Sequence, residues 1–203
     1  MEKAAIVLCG GQSTRMQRDK ATLPFGDELM LPRVIRILSE VFHPTRIICV
    51  ATINQQLPAI AAGVNVVRDQ RPLRGPLEGM AAGLRAVADS VDAVYITSCD
   101  VPLLRPAFIK RMFDLLATWD IAVPYDDFPH PLAGVYRPKI LTQIEQQLSE
   151  DSLRISQLFE CTSTRKVRLD ELADVDPEFD SLVNLNHPAD YERALVRGGI
   201  VRS

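Results

Sequence analysis

Residues 4–11 read Ala4-Ala5-Ile6-Val7-Leu8-Cys9-Gly10-Gly11, a short apolar run that stops at two glycines. Apolar residues at consecutive positions fit a strand covered on both faces, and the glycines mark the loop it enters. Outward from this stretch the pattern repeats. Residues 46–50 (RIICV) read as a second buried strand, 64–67 as a third, and 93–97 (AVYIT) as a fourth that ends at Ser98-Cys99-Asp100. Between them Leu31, Val34, Ile35, Leu38 and Val41 recur at helical spacing. Residues 77–88 are Ala-rich and helical, and Pro106 opens a helix to about Ala117, proline being tolerated in a first turn. Strands separated by helices predict an α/β layer fold with a largely parallel sheet. Past residue 121 the pattern loosens into short strands at 121–124 and 132–136 around the polar loop 126–130. A helix over 139–148, a short strand at 167–169 and a closing helix to about Val196 follow. No low-complexity linker or internal repeat interrupts the chain, so one domain over residues 1–203 is expected.

The 203 residues suffice for a buried core without disulfides or a structural metal, and 47% hydrophobic with 24% charged residues is a globular composition. A net charge of −3 argues against a nucleic-acid coat or a polybasic membrane anchor. The apolar run 4–9 is too short for a membrane span or a signal-peptide core. Cys9, Cys49, Cys99 and Cys161 lie far apart, without the spacing of a zinc knuckle or a redox dithiol. They read as free thiols of a reducing compartment, so a cytoplasmic protein is expected.

In open α/β sheets, ligands collect beyond the carboxyl ends of the strands. Gly10-Gly11, Asn54, Asp69 and Asp100 all fall at or just past predicted strand ends and are expected to face one crevice. The segment Leu8-Cys9-Gly10-Gly11-Gln12-Ser13-Thr14-Arg15-Met16, followed by Asp19-Lys20, combines close backbone approach with positive charge. Its N–H groups can form an anion-binding nest, and Arg15 and Lys20 suit a triphosphate and a departing pyrophosphate. It is neither a P-loop nor a dinucleotide fingerprint, and a polar strand–helix loop explains it too. Asp100 ends a buried strand, where a carboxylate needs a cation or hydrogen bonds, which makes it the first candidate for a magnesium ligand. A helix N-cap is the other reading, although the helix opening at Pro106 is too far downstream. Residues 68–79, with two glycines and two prolines, fit a rigid loop around a nucleotide base, and fit a β-turn with helix entry equally well.

These residues resemble the molybdenum cofactor guanylyltransferase family of nucleotidyltransferases. Its opening pattern Leu-Ala-Gly-Gly-x-Ser-x-Arg-Met-Gly-x-Asp-Lys matches residues 8–20 except for Cys9 in place of Ala and Gln17 in place of Gly. Gly-Pro-Leu-x-Gly returns at 75–79 and Cys-Asp-x-Pro at 99–102. His130-Pro131-Leu132-Ala133-Gly134-Val135-Tyr136 resembles the family's Pro-Leu-x-x-x-Tyr strand. Asn184-Leu185-Asn186-His187-Pro188-Ala189-Asp190 resembles its Asn-x-Asn-x-Pro ending. The opening and Cys-Asp-x-Pro are shared across nucleotidyltransferases of this fold, whereas the C-terminal element favours the molybdenum cofactor branch.

The resemblance implies a three-layer Rossmann-like nucleotidyltransferase fold whose N-terminal half binds the nucleotide and whose C-terminal half binds the acceptor. It implies GMP transfer from Mg–GTP to the terminal phosphate of molybdopterin, with release of pyrophosphate. Leu8, Cys9, Gly10, Gly11, Lys20, Asn54, Asp69 and Asp100 would contact GTP, with Asp100 on magnesium. Arg15 joins Lys20 and Asp100 as a catalytic candidate, and His130, Asn184 and Asn186 are candidates for the acceptor. Such loop residues also serve as turns, and Asn186 as a cap of the last helix. Transient contacts with molybdenum-insertion proteins or recipient molybdoenzymes follow from the same resemblance. A CTP-using or other small-phosphate nucleotidyltransferase, or a silent nucleotide-binding or cofactor-handover module, remains the alternative.

Overall fold

The computed structural model of the chain describes residues 1–10, 19–69, 71 and 74–200. The opening apolar run lies in strand β1 (Lys3–Leu8). The remaining strands are β2 (Pro24–Phe25), β3 (Glu28–Leu29), β4 (Ile47–Thr52), β5 (Asn65–Asp69), β6 (Ala93–Ser98), β7 (Ile121–Tyr125), β8 (Ala133–Tyr136) and β9 (Thr164–Arg168). The helices are α1 (Met30–Ser39), α2 (Gly75–Arg85), α3 (Pro106–Leu116), α4 (Leu141–Ser149), α5 (Ile155–Cys161) and α6 (Pro188–Arg197). Seven strands form one sheet in the order β5-β4-β1-β6-β8-β7-β9. The pairings β5–β4, β4–β1, β1–β6 and β7–β9 are parallel, and β8 runs against both its neighbours. This is the expected three-layer, mostly parallel α/β architecture.

The unbroken apolar runs have a simple cause. Both faces of the central strands are covered, so neither the odd nor the even positions can be polar. Ala5 and Val7 enter a core built with Leu31, Ile35 and Leu38 of α1 and Phe108, Met112 and Phe113 of α3. Ala4, Ile6 and Leu8 enter a second core with Leu77, Met80 and Leu84 of α2, Ile144 and Leu148 of α4, and Leu158 of α5. Gly83 sets how close α2 comes to the sheet: a Cβ there would meet Ile6 Cγ2 at 2.7 Å and Cδ1 at 2.8 Å.

The strand expected as buried at 64–67 becomes β5, the sheet edge, with Asn65, Val66 and Arg68 exposed. Among the described residues only β4 pairs with it, so its outer side faces water; Val67 is half-buried and packs against the core under α2, while Val66 is exposed. The strand expected at 167–169 lies earlier, at β9. The β2–β3 hairpin and α5 carry too few residues to show a period. They form through tertiary packing: Ile155 and Leu158 of α5 enter the second core, and beside the hairpin Leu23, Phe25 and Met30 meet Leu185 and Ala194 in a third small core. Tyr191 Oη closes this contact by donating to Pro24 O at 2.5 Å.

The irregular segment before α6 is held by Asp176, which is wholly buried. Its carboxylate accepts the backbone N–H groups of Asp180 (3.0 Å) and Ser181 (2.8 Å) and lies 3.2 Å from Arg105 Nε. Leu185 N then donates to Asp100 O at 3.1 Å, which brings residues 184–186 to the end of β6. Among the described residues, no helix is long and apolar enough to cross a membrane.

Candidate active site

Because β1, β4, β5 and β6 are mutually parallel, their carboxyl ends open at one edge of the sheet. There they line a cavity of about 690 Å³. Nine of the expected residues are on its wall: Leu8, Cys9, Gly10, Lys20, Asn54, Asp69, Asp100, Asn184 and Asn186. Gly75, Pro76 and Gly79 from the start of α2 are there as well. The Gly/Pro segment is therefore both a helix entry and part of the cavity. Gly11 and Arg15, like Gln17, lie outside the described residues.

His130 does not line the cavity. Its Nε2 sits 2.9 Å from Asp126 Oδ2, within the β7–β8 loop. The Phe128 backbone N–H, helped by His130, holds the Asp126 carboxyl below its ordinary range. Leu132, two residues further on, is the part of this motif that reaches the cavity.

Strand ends from distant parts of the chain converge on one charged cluster. Asp19 starts a short 3-10 turn, its carboxylate accepting Ala21 N at 2.9 Å, and thereby orients the next residue, Lys20. Lys20 Nζ donates to Asp100 Oδ2 at 2.6 Å and to Asn186 Oδ1 at 3.0 Å. Ser98 Oγ donates to Asp100 Oδ1 at 2.5 Å. Asp100 is 7% exposed, and these contacts compensate the removal of its charge from water. Asp69, similarly buried, accepts Arg71 N at 2.8 Å through Oδ1. Asp100 does not act as a helix cap. The N-cap of α3 is Arg105 and that of α6 is His187, while Asp190 in the first turn of α6 accepts the N–H groups of His187 (2.8 Å) and Asn186 (3.1 Å). The Asn186 carboxamide is thus left to Lys20.

The glycine corner is shaped by close approach. A Cβ on Gly10 would meet Thr52 Cγ2 at 2.9 Å, so only glycine lets the β1 end run this close to the β4 end. Cys9 is buried with its Sγ 3.3 Å from Cys49 Sγ. Hydrogen bonding to Cys49 and Cys99, together with burial, holds the Cys9 thiol well above its ordinary range. It is a neutral wall residue rather than a nucleophile.

Sequence reading left two contributors without a role. Ser98 was visible only as a neighbour of Asp100. Gln55 gave no signal beyond being polar after a strand, yet its Nε2 donates to Cys9 O (2.9 Å) and to Asp19 Oδ2 (2.8 Å). It joins the chain just after β1 to the turn that carries Lys20.

Among the described residues, no three or more His, Cys, Asp or Glu side chains gather as a metal cage. Asp69 and Asp100 instead offer carboxylate oxygens on a cavity wall, which fits magnesium held jointly by one or two carboxylates, phosphate oxygens and water. A cation, two carboxylates and close-approaching backbone around one cavity suit the binding of a polyphosphate with a divalent metal.

Known proteins share this chain's sequence and fold. Residues 5–166 match the model of the MobA-like NTP transferase domain. A probable molybdenum cofactor guanylyltransferase of Mycobacterium avium is 32% identical over 202 residues, which cover 97% of this chain and 96% of the relative. The crystal structure of molybdopterin-guanine dinucleotide biosynthesis protein A from Archaeoglobus fulgidus has the same fold, with a TM-score of 0.80 at 21% identity, covering 98% of this chain and 100% of that one. The 2-C-methyl-D-erythritol 4-phosphate cytidylyltransferase of Thermus thermophilus shares it at a TM-score of 0.70 and 14% identity, covering 98% and 100%.

Proposed function

Because this chain belongs to the MobA-like NTP transferase family, and is a nucleotidyltransferase, we propose that it transfers GMP from Mg–GTP to the terminal phosphate of molybdenum-molybdopterin. An acceptor phosphate oxygen bonds to the α-phosphorus of GTP, the bond from that phosphorus to the bridging oxygen breaks, and pyrophosphate leaves. The product is a molybdopterin guanine dinucleotide. One domain carries both substrates, the N-terminal half holding the nucleotide and the C-terminal half the acceptor.

The observation that carries this reading is the meeting of Lys20, Asp100 and Asn186 at the cavity. A cation from the nucleotide motif touches both a carboxylate from Cys-Asp-x-Pro and a carboxamide from the C-terminal element there. Transfer at phosphorus is chiefly positioning and charge neutralisation, so no covalent nucleophile is required. Lys20 and Arg15 bind triphosphate oxygens, and Lys20 stabilises the charge gathering on the departing pyrophosphate. Leu8, Cys9, Gly10 and Gly11 offer backbone groups to the nucleotide, with Asn54 and Asp69 beside them. Asn184 and Asn186 orient the acceptor. Magnesium, when bound, supplies further neutralisation of phosphate charge, and Asp100 with Asp69 would hold it.

The test is pyrophosphate release by the purified protein with molybdopterin and either Mg–GTP or Mg–CTP. Release that needs both GTP and the acceptor supports the proposal. A preference for CTP would keep the chemistry and change the product. That second reading is favoured by the fold shared with a cytidylyltransferase and by a cavity wall at Cys9, Gly75, Pro76 and Gly79 with two glycines that carry no side chain to tell one base from another. Nucleotide binding without release would leave a handover module.

A further inference from the structure

The cluster at Asp100 already contains a cation. Lys20 approaches Asp100 Oδ2 to 2.6 Å, and Asn186 Oδ1 lies 3.0 Å from the same ammonium, while Ser98 Oγ occupies the other carboxylate oxygen. These partners come from 80 and 166 positions away in the sequence, so the ammonium is placed by tertiary structure rather than by local geometry. Both charged side chains are mostly buried, at 18% and 10% exposure, where screening by water is weak. An ammonium has three donors; among the described residues two are used here, and Lys20 lines the cavity wall.

Binding of a divalent cation to the same carboxylate oxygen is disfavoured while the ammonium is on it, since two positive charges a few ångströms apart repel strongly in a poorly screened site. Resting on the nucleotidyl-transfer reading, we propose that Lys20 fills the metal position of Asp100 in the ligand-free protein, and that Asn186 is the positioning residue that parks it there. The divalent cation that arrives with the nucleotide takes over the carboxylate, because the triphosphate gives Lys20 another anion to pair with. Cation exchange at Asp100 and relocation of Lys20 are then one event. Two consequences follow. The cation alone binds weakly, since nothing compensates Lys20 for leaving. The Asn186 carboxamide oxygen becomes free for the acceptor only after the nucleotide has bound, which orders the substrates with the nucleotide first.

The test is titration of the protein with manganese(II) alone, free ion being read by electron paramagnetic resonance. Lys20→Met, which keeps length and removes charge, is expected to bind manganese about tenfold or more tightly than wild type, well outside the scatter of the method. Adding Asp100→Asn to it returns binding to the wild-type level, and Lys20→Arg, which keeps the charge, stays there. Asn186→Ala retains the ion pair and so guards against a misfolded Lys20→Met; it is expected to fall between wild type and Lys20→Met. Equal affinities in wild type, Lys20→Met and Asn186→Ala overturn the parked lysine, as does tight binding by Lys20→Arg. The titration contains no nucleotide or acceptor. Acceptor-dependent pyrophosphate release together with equal manganese affinities would therefore remove this inference and leave GMP transfer standing. Tighter binding in Lys20→Met without release from any nucleotide would do the reverse.

Discussion

Gln55 has one amide nitrogen serving two acceptors: the Cys9 carbonyl at 2.9 Å and the Asp19 carboxylate at 2.8 Å. Replacing it with leucine removes both hydrogen bonds, together with the longer one (3.3 Å) that its Oε1 accepts from the Thr52 N–H. Asp19 keeps Ala21 N and is partly exposed, so water replaces most of what its Oδ2 loses. The Cys9 carbonyl belongs to a residue 5% exposed, and a buried acceptor left without its partner costs about 1–3 kcal/mol. Since Gln55 is itself only half-buried, the low end applies, and Gln55→Leu is expected to cost about 1–2 kcal/mol. In a chain of this size that lowers the melting temperature by several degrees, at roughly 2–4 °C per kcal/mol. The same tether sets the distance between the Gly10 corner and Lys20, so Mg–GTP affinity measured by calorimetry should fall about tenfold. Gln55→Glu separates this cause from mere loss of volume. It keeps the shape but turns an acceptor, and a negative charge, toward a carbonyl and a carboxylate, so it should be worse than leucine in both assays. A Gln55→Glu protein with wild-type melting temperature and wild-type nucleotide affinity would refute the tether.

Asp100→Ala should abolish metal-dependent turnover, a loss of at least about a hundredfold or 2.7 kcal/mol, while circular dichroism still shows the folded protein; wild-type-like pyrophosphate release would remove Asp100 from the metal site. Gly83→Val places a side chain where a Cβ already meets three Ile6 atoms at 2.7 to 3.0 Å, so overpacking of about 1–3 kcal/mol should outweigh any gain in helix propensity. Its melting temperature should fall, and Ile6→Ala in the same chain should cost less than the two single changes summed; strict additivity would argue against the contact. The hydrogen bond from the His187 N–H, with that from Asn186 and the Arg193 charge, lowers the Asp190 pKa. A depressed carboxyl contributes stability that is present above its unfolded pKa and lost as pH falls through its folded one. Asp190→Asn should therefore be less stable than wild type at neutral pH, with the gap closing in acid denaturation below about pH 4; a gap independent of pH would dismiss the cap's charge.

The strands, their mainly parallel pairing and the crevice at their carboxyl ends were legible in the sequence, for a local reason. Covered strands must be apolar at consecutive positions, and a strand that ends in Gly10 or Asp100 announces a turn toward a ligand. The glycine corner, Lys20, Asp69 and Asp100 could be named because glycine freedom and buried charge are properties of residue type. Other features depended on partners far along the chain. At residues 65–69 only Asn65 and Arg68 hint at an edge; β5 is exposed because, among the described residues, no strand is added beyond it. The pairing of Lys20 with Asn186, across 166 positions, exists only because buried Asp176 and the α6 packing fold the C-terminal segment back to β6. His130 shows the opposite case: its motif reached the site through Leu132, while its imidazole turned to Asp126, four residues away. Gln55 is the clearest instance, because what an amide nitrogen bonds is decided by which chain ends the sheet brings within 3 Å of it. Local sequence determined which groups this protein has to offer at its strand ends; the tertiary structure decided which of them meet, because hydrogen bonds and ion pairs act only at contact.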